Sequence, residues 1–327
     1  MATRTFIEAI REGLREEMRR DASTIVLGED VGVKGGVFLA TDGLFAEFGE
    51  ERVIDTPLTE SLIVGASIGA AVNGLRPIAE IQFADFILPA FNQIVSEAAR
   101  MRYRSNNAFG CPITIRAPFG GGVHGALYHS QSMEAFFTHV PGLKVVVPST
   151  PYDAKGLLRS AIRDEDPVLF FEHKKMYRSV RGDVPDGEYT VPLGQAAVTR
   201  AGSQVTVIAY GLMAHYALAA ADRVDEDGIS VEVIDIRTLR PLDRRTILDS
   251  VRKTGKCLVV YEDNKFGGYG AEIAAIVAEE AFDYLDGPVM RAAGPDVPGV
   301  PYNHVLEDWF MLDPERIAEA IRTLAAY

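Results

Sequence analysis

The 327-residue chain has only two cysteines, Cys111 and Cys257, and they lie far apart. This scarcity excludes a disulfide framework and a cysteine-based metal cluster, and it favours a reducing compartment. The phosphate-binding pattern G-x-x-x-x-G-K-[ST] and the zinc pattern H-E-x-x-H are also missing. No apolar run approaches the roughly 18 charge-free residues of a membrane span. With no targeting pattern at the amino terminus, we expect a cytoplasmic protein.

Basic residues are also few, because 33 lysines and arginines face 46 aspartates and glutamates, giving a net charge of −13. Such a surface argues against partners such as nucleic acid or an anionic membrane. Hydrophobic residues make up 47% of the chain and charged residues 24%, which is the balance of an ordinary globular protein. The length suggests about two domains.

Short apolar runs alternate with helical patterns along the chain, which predicts an α/β fold with mostly parallel sheets. The predicted strands are residues 24–28, 77–81, 113–115, 145–147, 168–171, 205–210, 231–236 and 257–261. The predicted helices are residues 61–72, 89–102, 153–163, 215–224 and 271–282, with a further amphipathic stripe at Phe6, Ile10, Leu14 and Met18. A stretch rich in proline, glycine and charge separates two domains. We place them at 1–185 and 199–327, with a linker at 186–198.

The segment Asp55-Thr56-Pro57-Leu58-Thr59-Glu60-Ser61 is a turn that leads directly into an apolar helix. Acidic residues are common in a first helical turn, so Glu60 alone is weak support for a site. The helix that follows, however, is apolar on every side and is therefore predicted to be buried. A buried carboxyl at this position can carry a proton, and Gly65 and Gly69 would let another helix approach closely.

The run Gly120-Gly121-Gly122-Val123-His124-Gly125 matches the dinucleotide pattern G-x-G-x-x-G. That fingerprint also requires an acidic residue at the end of the next strand, where this chain has Pro148-Ser149-Thr150. We therefore disfavour NAD binding and expect a loop that lets backbone approach a ligand.

Four ordered segments carry a resemblance to a known family. They are DTPLTES, GLRPIAEIQFADFILPAFNQI, HGALYHSQSMEAFF and PGLKVVVPSTPYDAKGLL. Together they resemble the beta subunit of the 2-oxo acid dehydrogenase first component, and IQFADF and HGALYHSQS are most similar to the branched-chain type. The resemblance implies a pyrimidine-binding domain for thiamine diphosphate followed by a transketolase-like C-terminal domain.

The resemblance also implies roles for individual residues. Glu60 would bond to N1′ of the aminopyrimidine, and Leu58 would lie near that ring through its backbone. Gln82 and Phe86 would line the ring or stack on it. His129 would face the 2-oxo acid substrate and the incoming lipoyl group, and His124 is a weaker candidate. The motif Gly65-Ala66-Ser67-Ile68-Gly69 would lie at a subunit contact.

The Gly-Asp-Gly…Asn segment that holds the cofactor's diphosphate through a divalent metal is not found in the chain. The resemblance therefore implies an alpha subunit that supplies the magnesium ligands, an α2β2 heterotetramer and a lipoyl acyltransferase core as a further partner. It also implies a structural potassium ion near Ile113, Asp164 and Asp166. Three alternatives stay open: a pyruvate or acetoin dehydrogenase beta subunit, a non-catalytic scaffolding subunit, and a nucleotide-binding dehydrogenase.

Overall fold

The computed structural model describes residues 1–327 as two compact units. The first comprises Met1–Phe119 and Phe136–Leu193, and the second comprises Gly120–Ala135 and Gly194–Tyr327. No helix in the structure is both long enough and apolar enough to cross a membrane.

The first unit is built on parallel strands, most of which are buried on both faces. Its strands are β1 Ala2–Thr5, β2 Thr24–Gly28, β3 Val53–Asp55, β4 Arg76–Glu80, β5 Thr114–Phe119, β6 Lys144–Val146, β7 Val168–His173 and β8 Arg181–Val184. Six of them run parallel in the order β6-β7-β5-β4-β2-β3. The remaining two, β1 and β8, form a separate antiparallel pair. This arrangement confirms the predicted α/β class.

Helices cover this sheet, and their apolar stripes form the core. They are α1 Phe6–Arg20, α2 Leu44–Phe48, α3 Glu60–Val72, α4 Met101–Arg104, α6 Pro151–Arg163 and α7 Met176–Ser179, while α5 Glu134–Thr138 begins at the end of the segment Gly120–Ala135 that belongs to the second unit. Helix α1 begins with a capping box between Thr5 and Glu8 and buries the predicted stripe from Phe6 to Met18 completely. Helix α6 packs along α1 in the same unit.

Two helix predictions need correction. Residues 89–102 do not form one helix but a series of short 3-10, π and α turns. Pro89 lies inside the first of these turns, where it cannot donate a backbone hydrogen bond. Helix α3 is not buried on every side either, because Leu62 is 51% exposed and Ala66 is also exposed.

The second unit has a five-stranded sheet in the order β14-β13-β10-β11-β9. The strands of this sheet are β9 Ala197–Arg200, β10 Val205–Ala209, β11 Val231–Asp235, β13 Cys257–Asn264 and β14 Met290–Gly294, and a short further strand, β12 Thr238–Arg240, is not part of it. Its helices are α8 Leu212–Val224, α9 Arg244–Thr254, α10 Gly270–Glu280, α11 His304–Phe310 and α12 Pro314–Ala325. All neighbouring strands pair in parallel except the edge strand β9, which is antiparallel.

Candidate active site

Glu60 is the first residue of α3, and it is half-buried in the chain. The residue before it, Thr59, has an extended backbone, and no side chain caps the helix start. The Glu60 carboxylate therefore lies at the positive end of an uncapped helix. Glu29 lies close enough for the two charges to interact, and its pKa is raised by burial, then by Asp30 and by Glu60.

Three neighbouring strands bring the predicted ring-binding residues to one edge of the first unit's sheet. Strand β2 ends just before Glu29, β3 just before the turn with Leu58 and Glu60, and β4 just before Gln82. Because β3, β2 and β4 are parallel neighbours, their carboxyl ends share this edge, the usual place for ligands in such sheets. The Gln82 side-chain amide donates a 3.4 Å hydrogen bond to the Glu29 carbonyl oxygen, which links two of these turns.

The two apolar candidates differ in their surroundings. Leu58 is 70% exposed, so its turn is open in the single chain. Phe86 is half-buried and packs edge-on against Phe83, with the ring centroids 5.7 Å apart. Phe83 in turn packs edge-on against Phe38. Phe86 therefore belongs to an aromatic cluster while part of its surface stays accessible.

His129 lies in the second unit, on the segment Gly120–Ala135, and it is half-buried. Four residues of this segment have left-handed backbone, with φ of +88° at Gly120, +73° at Gly122, +56° at His124 and +57° at Ala126. Non-glycine residues in this conformation cost of order 1–3 kcal/mol each and persist only where surrounding contacts hold them. The segment is thus a constrained loop rather than a flexible one.

Two buried carboxylates hold the start of this loop. Glu262 Oε1 accepts a 2.6 Å hydrogen bond from the Gly121 amide. Glu307 Oε1 accepts bonds from the amides of Gly122 at 2.8 Å and His124 at 3.2 Å. Glu307 Oε2 lies 2.5 Å from His124 Nδ1. Hydrogen bonds from backbone amides to carboxylates are stronger than those between neutral groups, so these contacts oppose the backbone strain.

A third carboxyl lies at the other end of the loop. Glu134 is fully buried and accepts a 2.9 Å hydrogen bond from the Tyr210 hydroxyl. Burial, followed by the nearby charge of Asp263, raises the pKa of Glu134 to about 8. His129 therefore lies between the Glu307 contacts on one side and the Glu134 contact on the other.

The likeness to known proteins agrees with this geometry. Residues 2–180 match the transketolase pyrimidine-binding domain, and residues 194–317 match the transketolase C-terminal domain. The chain is 58% identical to the 2-oxoisovalerate dehydrogenase subunit beta of Bacillus subtilis (strain 168), over 327 residues and 100% of both chains. It belongs to the family of 2-oxo acid dehydrogenase beta subunits.

One further relative and one solved structure are also similar to this chain. The pyruvate dehydrogenase E1 component subunit beta of Bacillus subtilis (strain 168) is 53% identical over 90% of this chain and 91% of its own length. A solved split-gene transketolase, described as an inactive beta4 tetramer, aligns with a TM-score of 0.80 over 98% of both chains at 24% identity. That structure shares the fold with this 2-oxo acid dehydrogenase beta subunit.

Membership of this family implies thiamine diphosphate as cofactor and an alpha subunit as partner. The aminopyrimidine ring of this cofactor is flat and partly polar. The beta subunit's sheet edge fits it, because the edge offers a carboxylate, an amide and accessible apolar surface. These come from Glu60, from Gln82, and from Leu58 and Phe86. No group of three histidine, cysteine, aspartate or glutamate side chains in the chain is arranged to hold a metal ion.

The three residues predicted near potassium in the beta subunit have protein partners. The Ile113 carbonyl accepts from the Val168 amide at 2.9 Å in the sheet. The Asp164 carbonyl accepts from Arg76 Nη1 at 3.1 Å, and Asp166 accepts from Arg102. The Asp164 carboxylate also pairs with Lys144 at 2.6 Å. These oxygen atoms all have protein partners and do not form an evident potassium site. Potassium binding therefore stays a prediction.

The sequence of this beta subunit predicted site residues that lie at one sheet edge, and their roles stay predictions, but it did not point to the carboxylates that hold the loop with His129. Glu307 and Gly122 are 185 positions apart, and Glu262 and Gly121 are 141 apart. The only hint lay in the glycine run itself, because closely spaced left-handed positions need outside support.

Proposed function

We propose that this chain is the beta subunit of a branched-chain 2-oxo acid dehydrogenase that works in the cytoplasm as an α2β2 heterotetramer. The complex would oxidatively decarboxylate the 2-oxo acid and pass the acyl group to lipoamide on the acyltransferase core. The branched-chain assignment rests on identity, which is 58% over the whole chain for the 2-oxoisovalerate relative and 53% over 90% for the pyruvate relative. The net charge of −13 suits a basic docking segment on the core.

The position of Glu60 carries the proposal. Thiamine diphosphate, when bound, supplies the carbanion equivalent that attacks the 2-oxo carbon. Glu60 would hold a proton at N1′ of the pyrimidine ring, from the helix start where strands β2, β3 and β4 end together. The turn is open at Leu58 in the single chain, as a site completed by a second subunit requires.

The neighbouring residues would orient the ring. The Leu58 backbone would approach one part of it, Phe86 would offer an apolar surface, and Gln82 would line the pocket while its amide stays bonded to the Glu29 carbonyl. Excluding water from this pocket strengthens the contact between Glu60 and the ring. The magnesium ion and the diphosphate would be held by the alpha subunit.

His129 would act in the second half of the reaction, as a hydrogen-bond donor or acid toward the incoming lipoyl group. Its loop is constrained at both ends, which suits a side chain that must meet a mobile arm in a fixed orientation.

Replacing Glu60 by glutamine tests the function. Glu60→Gln keeps the size and removes the acidic proton, so we expect at least a 100-fold loss of decarboxylation with an intact α2β2 assembly. Glu51→Gln, an exposed carboxylate in the same unit, is the matched control and should behave like wild type. Near-normal turnover by Glu60→Gln would leave a scaffolding subunit as the better description.

Three measurements test the remaining parts of the proposal. Steady-state rates on 3-methyl-2-oxobutanoate and pyruvate decide between the branched-chain and pyruvate types. Calorimetry should show weak binding of thiamine diphosphate to this chain alone and tight, magnesium-dependent binding once the alpha subunit is added. For potassium, thermal unfolding in potassium and sodium chloride at equal ionic strength should give a higher midpoint in potassium.

A further inference from the structure

Two carboxylates from distant parts of the chain hold the start of the loop that carries His129, and Glu307 makes more of the contacts than Glu262. Glu307 lies on α11 and is 1% exposed. Both of its oxygens contact the loop: Oε1 accepts from the amides of Gly122 and His124, and Oε2 lies against His124 Nδ1. One buried carboxylate thus makes three contacts within three consecutive residues.

The His124 side chain contacts Glu307 on one side and is exposed to solvent on the other. Its Nδ1 lies 2.5 Å from the buried Glu307 carboxylate, while the side chain as a whole is 59% exposed. A buried carboxylate this close to Nδ1 restricts the orientation of the ring. The Glu307 contacts also hold His124 at a φ of +56°, a backbone conformation that a histidine rarely adopts without support.

Further contacts close the loop around His129. The Gly120 amide donates to the Gln131 carbonyl at 3.2 Å, and the Gln131 side-chain amide donates to the Leu127 carbonyl at 2.8 Å. Glu307 holds the loop before His129, and Glu134 holds it after His129 through Tyr210. Loss of the Glu307 contacts would leave Gly122 and His124 without these partners, with Glu262 still bonded to the Gly121 amide.

We propose that Glu307 is a positioning residue for acyl transfer, which fixes the loop carrying His129 through the Gly122 and His124 amides and the His124 imidazole. The inference rests on the proposed function, since it takes acyl transfer to lipoamide as the step that His129 serves. Glu307 itself touches neither substrate nor cofactor in this account. Its removal should therefore affect acyl transfer more than decarboxylation.

The test compares four variants in the assembled enzyme with the alpha subunit. Glu307→Ala removes all three contacts, and Glu307→Gln keeps an oxygen for the amides but loses the charge that faces His124. His124→Asn removes the imidazole contact with Glu307 while tolerating the left-handed backbone. Asp308→Asn, an exposed neighbour on the same helix, is the matched control.

Two rates are measured for each variant: decarboxylation with an artificial electron acceptor, and acyl transfer to free lipoamide. We expect Glu307→Ala to lose at least tenfold more of the acyl-transfer rate than of the decarboxylation rate. Glu307→Gln and His124→Asn should fall between Glu307→Ala and wild type, and Asp308→Asn should match wild type. Equal rates in both assays for Glu307→Gln and His124→Asn, at the wild-type level or at any common reduction, would overturn the proposal.

Hydrogen–deuterium exchange gives a readout that does not depend on activity. Peptides covering residues 120–131 should exchange at least tenfold faster in Glu307→Ala and His124→Asn than in wild type, because the Gly122 and His124 amides lose their anchor. Unchanged exchange would overturn the positioning role. A wild-type complex that decarboxylates no 2-oxo acid would instead refute the proposed function, whatever the exchange of this loop.

Discussion

The Tyr210 hydroxyl donates a 2.9 Å hydrogen bond to Glu134 Oε1, and both side chains are buried. The second oxygen, Oε2, is buried without a hydrogen-bond partner. Burial, then Asp263, then Glu262, raise the pKa of Glu134 to about 8, although the Tyr210 hydrogen bond opposes the shift. The folded chain therefore keeps a proton on Glu134 at neutral pH.

This proton makes stability depend on pH. The unfolded chain releases it near the ordinary value of 4.5, so the stabilisation is complete below pH 4.5 and is lost as pH rises through about 8. At ~1.4 kcal/mol per pKa unit, the loss amounts to a few kcal/mol.

Glu134→Gln keeps an acceptor for Tyr210 and cannot ionise. We expect its unfolding midpoint to fall less than that of wild type between pH 5 and pH 9.

Thermal unfolding of the full chain across this pH range measures the effect. The control is Glu51→Gln, an exposed carboxylate, which should follow the wild-type curve. If the Glu134→Gln curve runs parallel to wild type, the Glu134 proton does not contribute to the pH dependence.

Arg116 is the centre of a buried ion network in the first unit. Its guanidinium is fully buried and bonds Glu80 at 2.5 Å and Glu172 at 2.7 and 2.8 Å. The Tyr177 hydroxyl donates to Glu172 at 2.6 Å. Arg116→Met would leave two buried carboxylates without a counter-charge, so we expect a loss of about 3–5 kcal/mol in unfolding free energy.

Denaturant unfolding of Arg116→Met checks this expectation. Arg223→Met, which breaks an exposed pair with Glu315, should cost less than about 1 kcal/mol. Adding Glu80→Gln and Glu172→Gln to Arg116→Met should recover part of the loss, because the uncompensated charges are then gone. A cost for Arg116→Met no larger than that of Arg223→Met would contradict the burial argument.

The inner strands of the sheets could be predicted from sequence because they are buried on both faces and therefore appear as continuous apolar runs. The edge strands β3, β9 and β14 were not predicted, because they are only partly buried and lack such runs. The observed bounds of β2 are the predicted ones, and each bound of β4 and β10 lies within one residue of its predicted position. Residues 89–102 could not be predicted in the same way. Their apolar spacing suits a helix, but the turns around Pro89 are decided by packing.

The candidate site divides in the same manner. Glu60 stands out in sequence because a turn leads into an unusually apolar helix. Tyr210 and Glu307 gave no sequence signal, because their partners in the loop are far away along the chain. Tyr210 is 76 positions from Glu134, and Glu307 is 185 positions from Gly122. Burial and hydrogen-bond partners of single polar residues follow from the tertiary fold rather than from local pattern.

His129 should separate the two halves of the reaction. We expect His129→Ala to reduce acyl transfer to lipoamide at least tenfold more than decarboxylation with an artificial electron acceptor, because its proposed role begins only when the lipoyl group arrives. His139→Ala, an exposed histidine of the first unit, is the control and should leave both rates unchanged. Unimpaired rates in both assays for His129→Ala would remove it from the site.

The exposed side of α3 leads to the last prediction. Leu62 and Ala66 are exposed there, and a Cβ added at Gly69 would meet nothing within 4 Å. A side chain at Gly69 therefore has room at its Cβ in the single chain, and replacing this helical glycine by leucine should stabilise the chain by about 0.5–1 kcal/mol. If another subunit's helix packs closely at Gly69, the same leucine must block assembly. We expect Gly69→Leu to raise the unfolding midpoint of this chain alone and to prevent the α2β2 tetramer, as measured by size-exclusion chromatography with light scattering.

Gly187→Leu is the matched control, since Gly187 also has open space around it but lies outside α3, and it should assemble normally. A normal tetramer formed by Gly69→Leu would show that the open side of α3 does not pack closely against a partner.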